Sequence, residues 1–196
     1  MQEKSSRRSN QQRTQSTRSA LLAAARALFI EKGYAETGTP EIVSSAKVTR
    51  GALYHHFTDK AELFRTIVKD EAQAVAEQIS RQPAKDATAI DTLMAGTEAY
   101  FRAMSVPGRT RLLLIDGPSV LGHTEMSRID RETGGEELRL GLAATLPKNV
   151  QADLPLEALA ELLSAAFDRA CLAIADGKPD EDYKRAIKKL LIALLN

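Results

Sequence analysis

The segment Val48–Phe57 limits the possible structure and function of this chain more than any other segment. In it, two adjacent histidines, His55 and His56, directly follow a tyrosine. Small residues, Gly51 and Ala52, precede this cluster. A helix here would therefore begin with small side chains and continue with the polar rings of the tyrosine and the histidines. A catalytic site normally collects its groups from separated segments. A short helix that enters a DNA groove instead needs small residues against base edges and polar groups within reach of phosphates. The segment therefore favours a nucleic-acid-binding helix.

The charge of the chain is divided unevenly between its two ends. The formal net charge is only +1 over 196 residues. Residues 1–60, however, contain ten lysines and arginines against five acids, a net charge of +5, and the remainder carries −4. A basic first third followed by an acidic body indicates one part that binds a polyanion and another part with a different task.

Several classes of protein are disfavoured by what the chain contains. The single cysteine, Cys171, excludes an intramolecular disulfide and a cysteine-based metal cluster. No apolar run approaches the roughly 20 residues of a membrane span, and the polar start argues against a signal peptide. His123 and Glu125 are too few ligands for zinc, and no triad or paired-acid pattern occurs. We therefore expect a soluble, cytoplasmic protein without metal or cofactor, and not an enzyme.

Apolar residues recur at helical spacing along most of the chain, which predicts an all-α fold. Residues 1–15 have nothing to bury and are expected to form a disordered basic arm. Thr39 is expected to be the N-cap of a short second helix, with Pro40 in its first turn. Helices are expected over 16–32, 40–46, 50–57, 60–80, 87–105, 107–115, 118–131, 135–146, 156–175 and 180–195, with a turn at Pro83–Asp86.

Three short helices, the last two joined by a tight turn at Lys47–Thr49, predict a helix-turn-helix arrangement. Over these residues the chain resembles the tetracycline-repressor (TetR) family of bacterial transcriptional regulators. The resemblance is carried by residues 24–34, by Thr39, by Ala-Lys-Val-Thr-Arg-Gly-Ala-Leu-Tyr-His-His-Phe at 46–57, and by Asp59, Lys60, Leu63 and Phe64. It implies a helix-turn-helix DNA-binding domain over 16–62 and a helical effector-binding and dimerisation domain over 63–196.

The resemblance also implies which residues contact DNA. Arg50 is the best candidate for reading a base, since arginine can bind guanine through two hydrogen bonds; a phosphate contact is the alternative. The family usually has glycine where this chain has Lys47, which would cost about 1 kcal/mol if the backbone there has positive φ, but which adds a cation. The expected DNA contacts are Thr39, Lys47, Thr49, Arg50, Gly51, Ala52, Tyr54, His55, His56 and Lys60, with Thr39, Tyr54, His56 and Lys60 at phosphates.

The second domain is expected to hold a mainly apolar effector pocket and the dimer interface. The helix over 156–175 is apolar nearly all round, so a partner subunit would cover one side of it. Asp168 in this helix is expected to pair with Arg169 or to face the interface, with a ligand contact as the alternative. The expected interface residues are Leu163, Ala166, Ala170, Ile187, Leu191 and Leu194. The expected pocket residues are Phe101, Met104, Leu113, Val120 and Phe167, which would otherwise only fill the core.

These features together predict a homodimeric transcription factor that binds a palindromic double-stranded DNA operator and responds to a small hydrophobic or aromatic effector. Release of a repressor by the effector is the expected mode, and activation stays open. The alternative is a helical ligand-binding protein or interaction module without operator function, which would require the DNA-contacting set to have decayed.

Overall fold

The computed structural model describes residues 3–81 and 87–195, with the side chains of 3–9 and Leu195 excepted. Within those ranges every regular element is a helix, which confirms the predicted all-α class. None of these helices combines the length with the apolar character that crossing a membrane requires.

The described chain divides into two compact units, the first ending at Val68 and the second beginning at Lys69. The division falls within a continuous helix, α4 (Lys60–Ser80). The sequence places it instead between residues 62 and 63, close to the start of that helix. Both units therefore share the backbone of α4.

The first unit is built around an aromatic core. It contains α1 (Glu3–Lys32), α2 (Thr39–Ser45), α3 (Arg50–His56) and the beginning of α4. α1 packs against α2 and α3, and α2 packs against α3. The ring of Phe64 meets the ring of Phe29 edge-on, with 5.3 Å between centroids. The fully buried large side chains include Leu21, Phe29, Ile42, Leu53 and Phe64. This core holds α3 by its inner face.

α1 is longer than the sequence predicts. The sequence indicates a disordered arm over residues 1–15, whereas α1 already begins at Glu3; residues 1 and 2 lie outside the described part. The side chains from Asn10 to Ser16 are exposed, as expected of a segment with nothing to bury. Arginine and glutamine are good helix formers, and the Thr14 hydroxyl donates to the Asn10 carbonyl oxygen at 2.9 Å. This composition thus allows α1 to extend towards the N-terminus beyond its buried part, as a helix whose side chains are exposed.

The second unit continues α4 and is organised around two central helices. It adds α5 (Ala89–Met104), α6 (Gly117–Leu121), α7 (His123–Arg131), α8 (Gly134–Thr145), α9 (Lys148–Asp153), α10 (Leu156–Ala175) and α11 (Asp180–Leu195). α5 and α10 are the two central helices, because α8 and α11 each pack against both of them. The buried core includes Phe101, Leu112, Leu142, Phe167 and Leu191.

Three segments of the second unit differ from the prediction. The helix expected after α5 is instead a turn at Gly108 followed by a π-helix, Arg111–Asp116. Gly122, with φ of 82°, separates α6 from α7 where one continuous helix is predicted, and α9 replaces a predicted loop. A π-helix is rare and often marks a functional site. The turn predicted at Pro83–Asp86 lies outside the described residues.

Candidate nucleic-acid interface and effector cavities

The turn between α2 and α3 is closed by a pair of backbone hydrogen bonds. The Lys47 amide donates to the Ser44 carbonyl oxygen at 3.1 Å, and the Val48 amide donates to the Val43 oxygen at 3.0 Å. In this Schellman pattern the residue after the C-cap adopts positive φ. Lys47 has φ of 55°, and it is the one non-glycine residue with positive φ in the described chain. The lysine therefore occupies a backbone conformation that favours glycine.

Replacing Lys47 by glycine should raise the free energy of unfolding by about 1 kcal/mol, since glycine adopts positive φ without a clash at Cβ. Lys47→Ala is the matched control, because it removes the same charge but keeps a Cβ, and it should give no comparable gain. Urea denaturation followed by circular dichroism measures both variants. Equal stabilities of the glycine and alanine variants would show that the backbone strain at this turn is negligible.

α3 is fixed from within and leaves a polar face outside. Its N-cap is Thr49, whose hydroxyl oxygen accepts a hydrogen bond from the Ala52 amide at 3.2 Å. Leu53 is fully buried, and Phe57, the residue directly after the helix, is 2% exposed. The exposed residues around α3 are Lys47, Thr49, Arg50, Gly51, Tyr54 and His55. Six of the eight DNA contacts predicted between Lys47 and His56 are thus exposed, whereas Ala52 and His56 are half-buried.

Gly51 lies on this surface with open space around it. An added Cβ would meet no protein atom closer than the Thr49 Oγ1 at 3.9 Å, and the backbone of Gly51 is not in the positive-φ region. Glycine inside a helix costs roughly 0.5–1 kcal/mol relative to alanine. Nothing within the described fold therefore requires a glycine at this exposed position.

Tyr54 is oriented by its neighbour on α3 and by α2. Hydrogen bonds with Thr39 and with Arg50 lower the pKa of the Tyr54 phenol below its usual value. The Arg50 guanidinium lies 5.5 Å from the centroid of the tyrosine ring. The predicted N-cap role of Thr39 is wrong: α2 begins at Thr39 itself, and the extended Gly38 is its N-cap. The threonine side chain is therefore available to the tyrosine.

The two histidines stand at the end of α3 beside a cation from α1. Their ring centroids are 5.3 Å apart in an edge-on arrangement. Desolvation, together with nearby His55 and Arg18, lowers the pKa of His56, which favours its neutral imidazole. The Arg18 guanidinium lies 5.4 Å from the ring centroid of Phe57. The sequence analysis did not assign Arg18 to this surface, although its place in the basic N-terminal third was an available signal.

The ammonium group of Lys60, which is predicted to contact a phosphate, has hydrogen-bond partners within the chain. Its ammonium group donates to the carbonyl oxygens of Tyr34 and Thr37, both at 2.9 Å. It also lies 4.1 Å from the centroid of the Tyr34 ring. The lysine thereby ties the start of α4 to the turn between α1 and α2. We assign it this structural role, and a phosphate contact by Lys60 stays a prediction that the geometry disfavours.

α2 and α3 form a helix-turn-helix, and the exposed, polar face of α3 defines a DNA-binding protein. Comparison with known proteins agrees. The family model for bacterial regulatory proteins of the TetR family matches residues 21–67, and the model for the tetracyclin repressor-like C-terminal domain matches residues 90–196, more than half of the chain. The chain belongs to the TetR family of transcriptional regulators, which confirms the predicted family and the prediction that it is not an enzyme.

Individual relatives match different parts of the chain. The HTH-type transcriptional repressor BepR of Brucella suis biovar 1 is 42% identical over 69 residues, which are 35% of this chain and 32% of BepR. The HTH-type transcriptional repressor AcnR of Corynebacterium glutamicum is 26% identical over 179 residues, 87% of this chain and 88% of AcnR. The crystal structure of a TetR-family regulator from Pectobacterium atrosepticum, 27% identical, matches with a TM-score of 0.66 over 93% of this chain and 94% of that one. The chain thus matches about a third of BepR and most of the other two.

The second unit contains several cavities, among them two adjoining ones of about 280 Å³ and about 530 Å³. α4 lines both of them, through Ile79 in the smaller cavity and Val75 in the larger. The residues that line both cavities are Tyr100, Asp130, Gly134 and Ser164. These cavities are the candidate effector site.

Three of the five predicted pocket residues line these cavities. Phe167 lines the smaller one, and Met104 and Leu113 line the larger one. Phe101 lines neither, because it is buried beside them with its ring centroid 5.7 Å from that of Phe167. Val120, half-buried on α6, also lines neither. Helical periodicity identifies the buried face of each helix but not the place where the packing leaves space.

The cavity walls also carry polar groups, of which the sequence analysis named Asp168 as an alternative ligand contact and did not name Asp130. Asp168 lines the larger cavity and accepts a hydrogen bond from the Tyr100 hydroxyl at 2.6 Å. Its partner is thus Tyr100 and not Arg169, which is exposed. Asp130 accepts a hydrogen bond from the Ser164 hydroxyl at 2.9 Å. An aspartate within the apolar stretch 156–175 was the available signal for the first of these carboxylates.

Burial changes the acidity of both carboxyl groups. It raises the pKa of Asp168 to about 6, against the opposing hydrogen bond from Tyr100. Burial likewise raises the pKa of Asp130, against the hydrogen bond from Ser164. Among the described residues neither aspartate forms an ion pair with lysine or arginine; the nearby Arg131 bonds to Glu161 instead. At pH 7.5 Asp168 is mostly an anion with no cationic partner.

Proposed function

We propose that the protein is a homodimeric, effector-responsive repressor that binds a palindromic operator through α3. The observation that carries the proposal is the outward face of α3, where Arg50, Tyr54 and His55 are exposed beside a glycine that the fold itself does not require. Such a face can enter the major groove, with its first residues at base edges and the flanking groups at phosphates. Repressor action is supported by BepR and AcnR, both of which are named as repressors.

Arg50→Ala should weaken operator binding by about 1–3 kcal/mol and relax the base preference at one position in each half-site. The measurement is fluorescence anisotropy with DNA from upstream of the protein's own gene and a set of single-base variants. Lys47→Ala is the control, since loss of an exposed cation should weaken binding to all sequences alike.

Identical specificity profiles for these two variants would remove Arg50 as a base reader. Failure of the unaltered protein to bind any of the DNA around its gene would favour the alternative, a helical ligand-binding protein without operator function.

The predicted dimer interface needs correction. Four of its six residues are buried within the chain: Leu163, Ala170, Ile187 and Leu191. Ala166 and Leu194 are half-buried. Because α10 packs against α8 and α11 in the same subunit, one face of its apolar circumference is already covered. The apolar pattern alone does not indicate which face this is.

We propose that the interface is formed by the apolar side chains that remain exposed on the last two helices. Leu162 on α10 is 71% exposed, and Leu190 on α11 is 52% exposed. A two-fold axis beside these helices would bring the same faces of two subunits together as a four-helix bundle.

Leu162→Glu and Leu190→Glu should each convert the dimer into monomers that keep their helical content, since an exposed position tolerates the charge but a dimer interface does not. Ile90→Glu is the matched control, because Ile90 on α5 is 47% exposed and lies outside the proposed interface. Size-exclusion chromatography with light scattering measures the mass of each variant. Dimers from both leucine variants would move the interface elsewhere.

In this proposal α4 connects the effector with the operator. The helix begins in the DNA-binding unit and lines both cavities further along its length. Glu71 of α4 also forms a buried ion pair with Arg109, 2.6 Å between Oε2 and Nε, just before the π-helix. An effector that displaces these walls would move α4 and change the spacing of the two α3 helices in the dimer. By linkage, the operator then weakens effector binding by the same factor as the effector weakens operator binding.

A further inference from the structure

The charge of the candidate effector site indicates more about the ligand than the volume of the cavities does. The acidic residues that line the two cavities are Asp130, Glu137, Glu161 and Asp168. The basic lining residues are His123 and Arg131, and Arg131 is already bonded to Glu161, with 3.0 Å between Nη1 and Oε1. Within the described chain, the half-buried carboxylates of Asp130 and Asp168 are therefore left without an ion-pair partner.

Aromatic rings adjoin these carboxylates. The centroids of Tyr100 and Phe167 are 5.2 Å apart, with an angle of 68° between the rings. Both rings line the smaller cavity, and Tyr100 also lines the larger one beside Asp168. Aromatic faces attract a positive charge, and a carboxylate in a site of low polarity requires one. An anionic ligand would instead be repelled.

The negative charge of Asp168 has no evident use within the fold. Its hydrogen bond from Tyr100 needs only an acceptor oxygen, which the side-chain amide of asparagine would supply equally well. Burying an ionised carboxylate without a cation is unfavourable. The carboxylate charge of Asp168 therefore favours binding of a cationic group that the chain itself does not provide.

We propose that the effector is an organic cation, a protonated or quaternary amine on an apolar body, with its charge at Asp168 and Asp130 and its body against Tyr100 and Phe167. This inference rests on the proposed function, in which these cavities are the effector site. It adds a positive charge to the small hydrophobic or aromatic effector that the sequence favours. That expectation was drawn from five apolar residues, and only the folded chain brings Asp130 and Asp168 together at the walls of these cavities.

Three probes with the same benzyl body and a tetrahedral head test the proposal. Benzyltrimethylammonium is the cation, neopentylbenzene is its neutral isostere, and phenylmethanesulfonate is the anion. Saturation-transfer NMR on the full chain compares their binding, and calorimetry gives the affinity of the cation. We expect binding in the order cation, neutral isostere, anion. Equal binding of the cation and its neutral isostere would overturn the proposal.

Asp168→Asn should weaken the binding of benzyltrimethylammonium about tenfold or more and leave that of neopentylbenzene unchanged, because only the charge is removed. Asp130→Asn should act in the same direction and provides a second variant if the first does not fold. Glu132→Gln is the matched control: it removes one negative charge from an exposed side chain paired with Arg128, outside both cavities. Unchanged cation affinity in both asparagine variants would refute the assignment.

Operator binding, measured on the same protein without probe, separates this inference from the proposed function. Intact operator binding without preference for the cation would break only the inference about the effector. Selective cation binding by a chain that binds no operator DNA would break only the proposed function.

Discussion

Operator affinity should fall by about three orders of magnitude when the salt concentration rises from about 50 to about 200 mM, if each subunit neutralises about three phosphates. The reason is that each neutralised phosphate releases condensed counterions, which added salt opposes. The net charge of +5 in residues 1–60 supplies the cations. Lys47 and Arg13 are exposed, and Arg18 lies at the end of α3. Fluorescence anisotropy titrations at several potassium chloride concentrations give the slope.

Two controls keep this measurement specific to phosphate contacts. Light scattering at each salt concentration shows whether the dimer itself persists, and Lys47→Ala should lower the slope by about one charge per subunit. A binding constant that does not change with salt would mean that α3 contacts the DNA without neutralising phosphates, which contradicts the proposed orientation.

The DNA-binding unit could be predicted well because its geometry depends on short-range interactions. The Thr49 cap reaches Ala52, and Leu53 and Phe57 are one helical turn apart. The turn at Lys47 closes on residues three and five positions earlier. Such patterns are legible in a single sequence because spacing alone determines which groups meet. Lys60 is one exception, since its acceptors on Tyr34 and Thr37 lie far away along the chain. Thr39 is another, since α2 begins one residue earlier than its sequence predicts.

The second unit could be predicted only in outline because its site depends on long-range packing. The Tyr100 hydroxyl and Asp168 are 68 positions apart, and no local pattern brings them together. The dimer face shows the same limit on a smaller scale. Leu162 and Leu163 are neighbours of the same chemical type, yet one is 71% exposed and the other 7%. Only the position of the neighbouring helices distinguishes them.

Asp168→Asn should stabilise the protein by up to about 3 kcal/mol at pH 8 and by little at pH 4. Burial raises the pKa of this carboxyl group in the folded chain to about 6, from an ordinary value of 3.8. Above pH 6 the carboxylate is ionised in both states, and the folded state bears the cost of burying the charge. As the pH falls from 6 towards 4 the folded state takes up the proton first, so the unaltered protein regains stability that the asparagine variant already has. Urea denaturation at both pH values measures the difference.

Tyr100→Phe is the control for this prediction, because it removes the hydrogen-bond donor to Asp168 and leaves the charge, and it should destabilise the protein at pH 8. A stabilisation by Asp168→Asn of equal size at both pH values would show that the charge is not its source. The predicted cost at pH 8 also bears on the effector. A cation bound beside Asp168 offsets the cost of the buried charge, so benzyltrimethylammonium should raise the stability of the unaltered protein at pH 8 more than that of Asp168→Asn. A carboxylate that weakens the empty protein and strengthens the occupied one favours ligand binding at the expense of stability, as ligand-binding residues commonly do.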